Sequence, residues 1–265
     1  MEIMTLEDLI DVCQSLKPVR PSTLREWHKA AKPLRHLQIA DINKAEVMKY
    51  RITQLAPRGP LKQNTLKARM ASLRGLWNTA IEWELIDGEN PWQKADKGLR
   101  YIRRKPEFYP WEHYSQYHND PYFVFLWYTG ARIGEIAGLD PKNIVMNAPV
   151  PYFNFVHQKN RMLKNDESIR KTPIHPACYP LVPYFKQSKA KRPGASWSET
   201  FKKNMQLPHG DAAHTMRHSF YTRCEIANIT ERIQDILTGH APRTETARYG
   251  KVDLPTLLRE LQKLR

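Results

Sequence analysis

A histidine and an arginine three residues apart, and a tyrosine close to two arginines, are the side chains most suggestive of chemistry in this sequence. His214 and Arg217 stand in "HTMRHSFYTRCEI", and their spacing places both on one face of a helix. Tyr249 follows His240, in "LTGHAPRTETARYGK", by nine residues. A tyrosine hydroxyl titrates near pH ~10, so it is a weak nucleophile unless cations or a proton acceptor surround it. This stretch alone leaves open whether Tyr249 attacks a substrate or is an ordinary amphipathic side chain.

A second cationic position follows a Thr-Gly turn. In "YTGARIGEIAGL", Arg132 comes directly after the turn and Glu135 stands three residues later. By themselves the two side chains are no more than a helix ion pair, worth roughly a few tenths of a kcal/mol. Each of these fragments is weak alone, and the order in which they occur is more informative.

In chain order the sequence presents Arg132 after its turn, a lysine in a hairpin before a proline-ended strand, His214-x-x-Arg217, Gly-His240 and Tyr249. This series resembles the catalytic domain of the tyrosine recombinase family, the phage-type integrases. The resemblance covers about residues 109–250 by motif. It extends more loosely to the N-terminal helices, which are similar to the core-binding domain of that family.

The resemblance implies a role for each of these side chains. Arg132 and Arg217 would hold the non-bridging oxygens of one phosphate, because planar guanidiniums clamp a phosphodiester bidentately and stay protonated. His214 and His240 would donate hydrogen bonds to the same phosphate, and His214 would also accept the proton of the attacking tyrosine. Tyr249 would form a 3′-phosphotyrosyl link and free a 5′-hydroxyl without metal, ATP or another cofactor.

Two further side chains complete the expected site. Lys164, in "LKNDESIRKTPIH", would protonate the leaving 5′-oxygen if phosphate and neighbouring cations lower its pKa. Lys159 is its rival, and an ordinary exposed loop lysine is the alternative for both. Glu135 would orient the cationic cluster. Tyr221 is a less suitable nucleophile, because it lacks a Gly-His turn at the proper distance.

Two departures from the family pattern leave every catalytic group in place. Thr238 precedes Gly239-His240 where the family more often has leucine, and the turn rather than this side chain sets the histidine. Asn228 stands where the family often has glycine. We expect Asn228 to adopt the left-handed conformation that glycine would supply at a helix end.

The bulk composition favours a polyanionic partner. A formal net charge of +15 and a pI near 9.7 suit nucleic acid or an anionic membrane surface. The sequence has no apolar run of membrane-spanning length and begins with an acidic stretch unlike a secretory signal. The composition therefore favours a soluble, cytosolic protein. The resemblance to phage integrases implies the cytoplasm of a bacterial host cell, with association to the nucleoid when the protein is bound to DNA.

Cysteine usage indicates neither disulfides nor a metal. The three cysteines, Cys13, Cys178 and Cys224, are widely spaced and odd in number, which is typical of reduced thiols. His175 and Cys178 have ligand-like spacing, but no second ligand pair completes a tetrahedral site. A structural role is the favoured interpretation of that pair.

The helical pattern of residues 1–97 predicts a bundle of roughly four helices, and the resemblance implies that it is an N-terminal core DNA-binding domain. Helix starts are expected at a Thr5 cap and at the Asp41 cap of "DINKAEVMKYRITQL". The strongest helix carries an apolar stripe of Leu66, Met70, Leu73, Trp77 and Ile81, which indicates core packing. Its cations either follow a phosphate backbone or form a solvated face, and the two alternatives weigh equally; they are Lys62, Lys67, Arg69 and Arg74.

The charged, proline-ended composition of residues 98–108 predicts an exposed basic linker that includes Arg103 and Arg104. The resemblance assigns residues 109–265 to the catalytic domain. Two strand-like runs, 151–158 and 168–175, indicate a hairpin with a long loop. The fold class expected is mainly α with a small β-sheet (α+β). The tail helix, with Leu257, Leu258, Leu261 and Leu264 on one side, either packs on its own domain or docks on a neighbouring protomer.

The resemblance thus implies a site-specific DNA recombinase of the phage or prophage integrase kind, acting on attachment-type sites in double-stranded DNA. Tail docking would favour a tetramer on two duplexes, with monomers in free solution. A type IB topoisomerase-like nicking-closing enzyme and a catalytically silent DNA-binding regulator are the alternatives. Because many phage integrases carry a separate arm-site domain before the core-binding domain, the resemblance leads us to expect that this domain either is lacking or has been removed. DNA affinity should fall steeply with salt, because much of it would come from phosphate neutralisation.

Overall fold

The computed structural model describes residues 4–16, 18–57, 59–100, 114–158, 162–164, 166–190, 193–204, 212–241 and 250–264, with the backbone alone at 212 and 213. The chain divides into two compact units, Met1–Arg104 and Lys105–Arg265. Each unit has its own hydrophobic core. The described residues are mainly helical with one small antiparallel sheet, and the predicted fold class is confirmed.

Four α-helices build the described part of the first unit: α1 (Leu6–Leu16), α2 (Pro21–Ala31), α3 (Lys44–Gln54) and α4 (Gln63–Glu82). Helix α4 packs against α1 and α2. Of its predicted stripe, Leu66, Met70, Leu73 and Trp77 are buried and Ile81 lies partly buried at the edge of the core. The helical spacing of apolar residues therefore located the centre of this unit correctly.

Side-chain caps set the starts of α1 and α3 in the first unit, whereas α2 and α4 begin without a side-chain cap hydrogen bond. At α1, the amide of Asp8 donates to Thr5 Oγ1 (3.2 Å) while the amide of Thr5 donates to Asp8 Oδ2 (2.8 Å), a reciprocal capping box. The expected Asp41 cap of α3 is wrong. Asn43 caps that helix through the amides of Ala45 and Glu46, because Asp41 ends a preceding 3-10 turn.

Residues 95–99 belong to the first unit. Leu99, which the sequence pattern assigned to the linker, is buried in the first core. Arg51 donates to the carbonyls of Ala95 (3.1 Å) and Lys97 (2.9 Å). The linker arginines Arg103 and Arg104 lie outside the described residues.

The second unit surrounds a three-stranded antiparallel sheet in the order β1–β2–β3, formed by β1 (Ile144–Val145), β2 (Tyr152–Phe155) and β3 (Arg170–Pro173). The described helices are α5 (Tyr114–Tyr117), α6 (Pro121–Thr129), α7 (Ile133–Ala137), α8 (Pro193–Asn204), α9 (Ala212–Ile226), α10 (Glu231–Thr238) and α11 (Leu254–Leu261), with a 3-10 segment at Pro176–Tyr184. The predicted hairpin is confirmed as β2 and β3. Strand β1 was missed, because two residues are too few to show an alternating pattern.

Helix α6 is the central element of the second unit. Every residue from Phe123 to Thr129 is buried, as expected for a helix that is apolar on all sides. It packs against α7, α9 and the 3-10 segment. Asp120 caps its N-terminus by accepting from the amides of Tyr122 and Phe123. The Thr-Gly turn lies at the C-terminal end of this buried helix.

The tail helix α11 packs on its own unit. Leu257, Leu261 and Leu264 are buried in the second core, and α11 contacts β3 and α10. Asp253 caps the helix through the amide of Thr256. The structure therefore shows the first of the two arrangements considered for the tail.

Other sequence expectations also have structural outcomes. Asn228 has φ 54°, which confirms the left-handed conformation expected of it. The His175 ring stacks on Tyr128 at 4.0 Å, and Cys178 is fully buried in the second core. Across the described ranges, no His, Cys, Asp and Glu cluster of three or more is arranged for a metal ion. None of the described helices combines the length and apolar character needed to cross a membrane.

We predict that Gly194→Ala destabilises the fold by about 1–3 kcal/mol, because overpacking would force two backbones apart. A Cβ at Gly194 would lie 2.8 Å from the Cα of Gly134, where α8 crosses α7. The control is Gly75→Ala in α4, where a Cβ meets nothing within 4 Å and should stabilise the helix by about 0.5–1 kcal/mol. Urea denaturation followed by circular dichroism measures both. A Gly194→Ala protein as stable as wild type would contradict the close crossing.

Candidate active site

The site begins at the turn that ends α6. Gly130 has φ 57°, and a Cβ at this position would lie 2.4 Å from the ring of Phe220, so only glycine fits without displacement. Thr129 Oγ1 accepts a hydrogen bond from the amide of Ala131 (3.1 Å). The turn reverses the chain and delivers Arg132 to the first position before α7.

Arg132 is held by a buried carboxylate and a serine. Its Nη1 donates to Glu135 Oε1 (2.9 Å) and to Ser168 Oγ (3.1 Å), and its amide donates to Glu135 Oε2 (3.0 Å). Ser168 comes from the connection between β2 and β3. The Arg132 side chain stays about a quarter exposed, whereas that of Glu135 is 5% exposed. The guanidinium is thus fixed on one edge and remains open to solvent.

A second arginine shares the same carboxylate. Arg170, on β3, donates from Nη2 to Glu135 Oε2 (2.9 Å) and lies over the ring of Phe155 at 4.2 Å. Its Nε donates to the carbonyl of Leu237 (2.9 Å) in α10, and its Nη1 donates to the carbonyl of Ser168 (2.9 Å). One buried side chain therefore joins α7, β3 and the end of α10.

Electrostatics keep Glu135 ionised. Burial by itself would raise the pKa of Glu135, but the charges and hydrogen bonds of Arg170 and Arg132 outweigh burial and lower it. The pKa of Arg170 is also lowered, by burial first and by the charge of Arg132, against the opposing effect of Glu135. The three side chains form one coupled charge network.

Arg217 lies beside this network with part of its guanidinium unused. It is 3% exposed, and its Nη1 donates to the carbonyl of Gly130 (2.7 Å). Its Nη2 is buried and finds no hydrogen-bond partner among the described residues. Burial lowers the pKa of Arg217 to about 10, and the charge of Arg132 acts in the same direction. Arg217 therefore remains cationic at neutral pH.

Helix α9 presents three candidate side chains on one face. His214, Arg217 and Tyr221 are spaced by three and four residues within the helix, which aligns them along its axis. His214 is exposed and meets the ring of His218 edge to face at 4.8 Å. The guanidinium of Arg217 lies 5.8 Å from the centre of the Tyr221 ring.

His240 approaches the same face from the end of α10. Gly239 has φ 66° at the C-cap of α10 and lies against Arg170, since a Cβ there would be 2.7 Å from Nη1 of that residue. The His240 Nδ1 is 2.7 Å from the Tyr221 hydroxyl and 3.5 Å from Asp235 Oδ1. The Gly-His turn thus places His240 beside Tyr221, which also underlies Arg217.

The structure gathers much of the predicted constellation. Arg132, Glu135 and Arg217 belong to one interacting cluster, and His240 joins it through Tyr221.

The predicted lysine and tyrosine positions differ in whether they fall within the described residues. Lys164 is exposed on the connection between β2 and β3. Lys159 and Tyr249 lie outside the described residues. The residue after Tyr249 is described: the carbonyl of Gly250 accepts from Arg232 Nη2 (2.9 Å) on α10.

The four cations proposed for DNA contact in the first unit differ in their surroundings. Lys62 is exposed at the start of α4. Arg74 and Lys67 both lie near Asp96, at 3.0 and 3.9 Å. Arg69 hydrogen-bonds Tyr50. Three of the four therefore have partners within their own unit.

Sequence reasoning gave no role to four residues of the cluster: Ser168, Arg170, Tyr221 and Asp235. The spacing of Tyr221, four residues after Arg217, was a signal that helical periodicity could have used. Arg170 had no distinctive signal, because it stands beside a second charged residue, Lys171, in the same strand. Ser168 and Asp235 carried none, because their roles depend on contacts between distant elements.

Solved structures show that the fold is one used by DNA integrases. The Tn1549 transposon integrase in complex with circular intermediate DNA is 19% identical with a TM-score of 0.65, over 97% of this chain and 99% of that chain. A lambda integrase dimer bound to a COC′ core site is 17% identical with a TM-score of 0.61, over 95% of this chain and 100% of that chain. At these identities the likeness establishes the fold. No protein-family model and no curated protein sequence matches the chain.

We predict that Glu135→Gln lowers the free energy of unfolding by about 3–5 kcal/mol near neutral pH, because it leaves the buried Arg170 and the partly exposed Arg132 without their counter-charge. Since folding lowers the pKa of Glu135, its ionised form contributes stability that is present above the ordinary carboxyl pKa. That stability is lost as the pH falls through the folded-state pKa.

The deficit of Glu135→Gln should therefore shrink on acidification. Urea denaturation at neutral pH and at a series of lower pH values measures it. Glu225→Gln, an exposed change on α9, is the matched control and should stay within about 0.5 kcal/mol of wild type. A Glu135→Gln deficit no larger than that of the control would contradict the charge network.

Proposed function

We propose that this protein is a site-specific DNA recombinase of the tyrosine integrase type, which cleaves and rejoins DNA strands through a 3′-phosphotyrosyl intermediate. One observation carries the proposal. Arg217 is buried within electrostatic range of Arg132, with an Nη2 that has no hydrogen-bond partner in the described residues. It lies over the ring of Tyr221, which also contacts His240 of the Gly-His turn. This arrangement suits a phosphate.

The charge balance favours an anionic ligand. Glu135 pairs with Arg132 and Arg170 but supplies a single negative charge against the three positive charges of Arg132, Arg170 and Arg217. An unpaired buried donor costs about 1–3 kcal/mol, and an anionic oxygen offsets that cost with a charge-assisted hydrogen bond. Arg217 and Arg132 would then hold the non-bridging oxygens of the scissile phosphate and stabilise the charge that grows on them during displacement.

Tyr249 is the proposed nucleophile. Its hydroxyl oxygen forms a bond to phosphorus, the bond to the 5′-oxygen breaks, and His214 accepts the phenolic proton. His240 donates a hydrogen bond to the same phosphate. The free energy of the broken phosphodiester bond is kept in the phosphotyrosyl ester, so rejoining needs no ATP.

Lys164 is the proposed acid for the leaving group. Its ammonium would give a proton to the departing 5′-oxygen, and in the reverse step the amine would take that proton back as a 5′-hydroxyl attacks the phosphotyrosine. Lys164 is exposed four residues before Ser168, which contacts Arg132. Attack by a 5′-hydroxyl from a second duplex exchanges partners.

Double-stranded DNA is the proposed substrate. The net charge of +15 suits a polyanion, and solved structures that share this fold include integrases bound to circular intermediate DNA and to a COC′ core site. We assign residues 1–97 to core-site DNA binding, with Lys62, Lys67, Arg69 and Arg74 among the phosphate contacts. Residues 98–108, with Arg103 and Arg104, are assigned to the linker, and residues 109–265 to catalysis.

Exchange between two duplexes requires assembly of several subunits. We propose a tetramer on two attachment-type sites and a monomer in free solution. The proposed setting is the cytoplasm of a bacterial host, where phage or prophage DNA integrates.

We predict that wild-type protein forms a covalent adduct on a nicked suicide substrate and that Tyr249→Phe forms none, because the phenylalanine has no oxygen to attack phosphorus. Denaturing gel electrophoresis measures the adduct. Tyr122→Phe, which removes a hydroxyl that donates to the carbonyl of Lys186, is the control and should leave the yield unchanged.

The assay also separates the alternatives. Wild-type protein that binds DNA but forms no adduct would be a DNA-binding regulator, and an adduct retained by Tyr249→Phe would refute the nucleophile. Products that join two different duplexes support a recombinase. Relaxation of one supercoiled duplex without joined products would indicate a topoisomerase.

We predict that Arg217→Lys lowers the rate of adduct formation by about 10²–10³-fold, because lysine cannot donate to Gly130 and to a phosphate oxygen in the fixed geometry of a guanidinium. Single-turnover cleavage measures the rate. Arg259→Lys, an exposed change on α11, is the control and should cleave as wild type does. Equal rates for the two variants would exclude Arg217 from the phosphate site.

A further inference from the structure

The side chain of Tyr221 contacts both the Arg217 guanidinium and the His240 imidazole. Its ring is stacked against the His240 imidazole, with ring centres 5.6 Å apart and planes 19° apart, and the Arg217 guanidinium lies over the same ring. Its hydroxyl is 2.7 Å from His240 Nδ1 and 2.5 Å from Thr238 Oγ1. The chemistry proposed above assigns no part to this side chain.

The hydrogen bonds define where the protons lie. Thr238 Oγ1 has a single proton, which it donates to the carbonyl of Gln234 at 2.8 Å. Thr238 must then accept from the Tyr221 hydroxyl, whose own single proton is thereby used. The remaining contact of the Tyr221 oxygen requires His240 Nδ1 to be the donor. The chain of donation runs from His240 to Tyr221, to Thr238, to Gln234.

A carboxylate gives the same assignment independently. Asp235 is 5% exposed, and its Oδ1 lies 3.5 Å from the same His240 Nδ1. A carboxylate oxygen repels a nitrogen lone pair and attracts an N–H. Both neighbours of Nδ1 therefore favour a proton on it.

We propose that Tyr221 is a positioning residue for His240. Its phenol oxygen accepts the Nδ1 proton and its ring holds the imidazole plane, so that the opposite nitrogen, Nε2, is presented to the scissile phosphate. With Nδ1 protonated, Nε2 donates to phosphate when the ring is an imidazolium. Tyr221 and Asp235 stabilise that form. This inference rests on the proposed function, since it names how one group of that site is held.

The surroundings of His240 include charges of both signs. Asp235 on α10 favours the imidazolium, and Tyr221 on α9 accepts from it. Arg217 on α9 and Arg170 on β3 oppose it: Arg217 lies over the ring that His240 stacks on, and Gly239 packs against Arg170. The hydroxyl oxygen of Tyr221 therefore accepts the Nδ1 proton of His240 close to two arginines whose charges disfavour the imidazolium.

Tyr221→Phe tests the proposal, because it keeps the ring and removes only the hydroxyl. We expect single-turnover adduct formation on the suicide substrate to slow by about tenfold, while DNA affinity measured by fluorescence anisotropy stays at the wild-type value. The alkaline limb of the pH–rate profile should move to lower pH, because the imidazolium has lost an acceptor. Tyr122→Phe should leave the cleavage rate, the DNA affinity and the pH–rate profile at their wild-type values.

A double-mutant cycle distinguishes positioning of His240 from a general structural role. In a His240→Ala background, Tyr221→Phe should cause no further loss of rate, because the group that it positions is absent. An equal loss in both backgrounds would overturn the inference. So would wild-type rate and pH profile for Tyr221→Phe.

Two further measurements test the positioning of His240 separately from the recombinase activity. In proton NMR of the free protein, the His240 Nδ1–H signal should be lost or shifted upfield in Tyr221→Phe, and an unchanged signal overturns the inference without any assay of activity. Thr238→Val, which removes the acceptor of the Tyr221 proton, should slow cleavage in the same direction if Tyr221→Phe does not fold. A wild-type protein that forms no adduct on the suicide substrate would overturn the proposed function and not the contact between Tyr221 and His240.

An adduct that depends on Tyr221 and not on Tyr249 would make Tyr221 the nucleophile and overturn both assignments.

Discussion

The sharing of one buried carboxylate by two arginines is the interaction on which the candidate site depends. Glu135 accepts from Arg132 and Arg170 within 2.9 Å of each, and it is nearly inaccessible to solvent. Without it, three guanidiniums would lie together in a poorly solvated region, where like charges repel strongly. The carboxylate reduces the repulsion among the three guanidiniums. Because it carries a single negative charge, the cluster keeps a net positive charge, which would attract an anion.

Helix ends supply the rest of the support. Arg217 donates to the carbonyl of Gly130 at the end of α6, and Arg170 donates to the carbonyl of Leu237 in the last turn of α10. A third arginine, Arg223, donates to the carbonyl of Trp127, also in the last turn of α6. The last carbonyls of a helix lack intrahelical partners and carry partial negative charge. Buried arginines and helix C-termini thus satisfy one another, and the left-handed Gly130 and Gly239 make the turns that expose those carbonyls.

Elements with long periodic patterns were predictable, and short or contact-dependent ones were not. The stripe of α4 and the hairpin of β2 and β3 were located from spacing, because many residues repeat one signal. The cap of α3 was misplaced, because Asp41 and Asn43 are both good capping residues and only the preceding 3-10 turn decides between them. Strand β1 has two residues and depends on pairing with β2. Leu99 joined the first core because of neighbours far away in sequence.

By itself, the sequence determined which groups are available and in what order: the arginine after a Thr-Gly turn, the His-x-x-Arg pair on one helix, the Gly-His turn and the tyrosine beyond it. Side-chain chemistry and local spacing are properties of short stretches, so these could be read directly. Only the tertiary structure decided which groups meet. The union of Glu135 with Arg170, 35 residues away, and of Tyr221 with His240 depends on how β3, α9 and α10 pack. Such contacts leave no periodic trace in the sequence, because they satisfy charge and hydrogen bonds at single points rather than along a face.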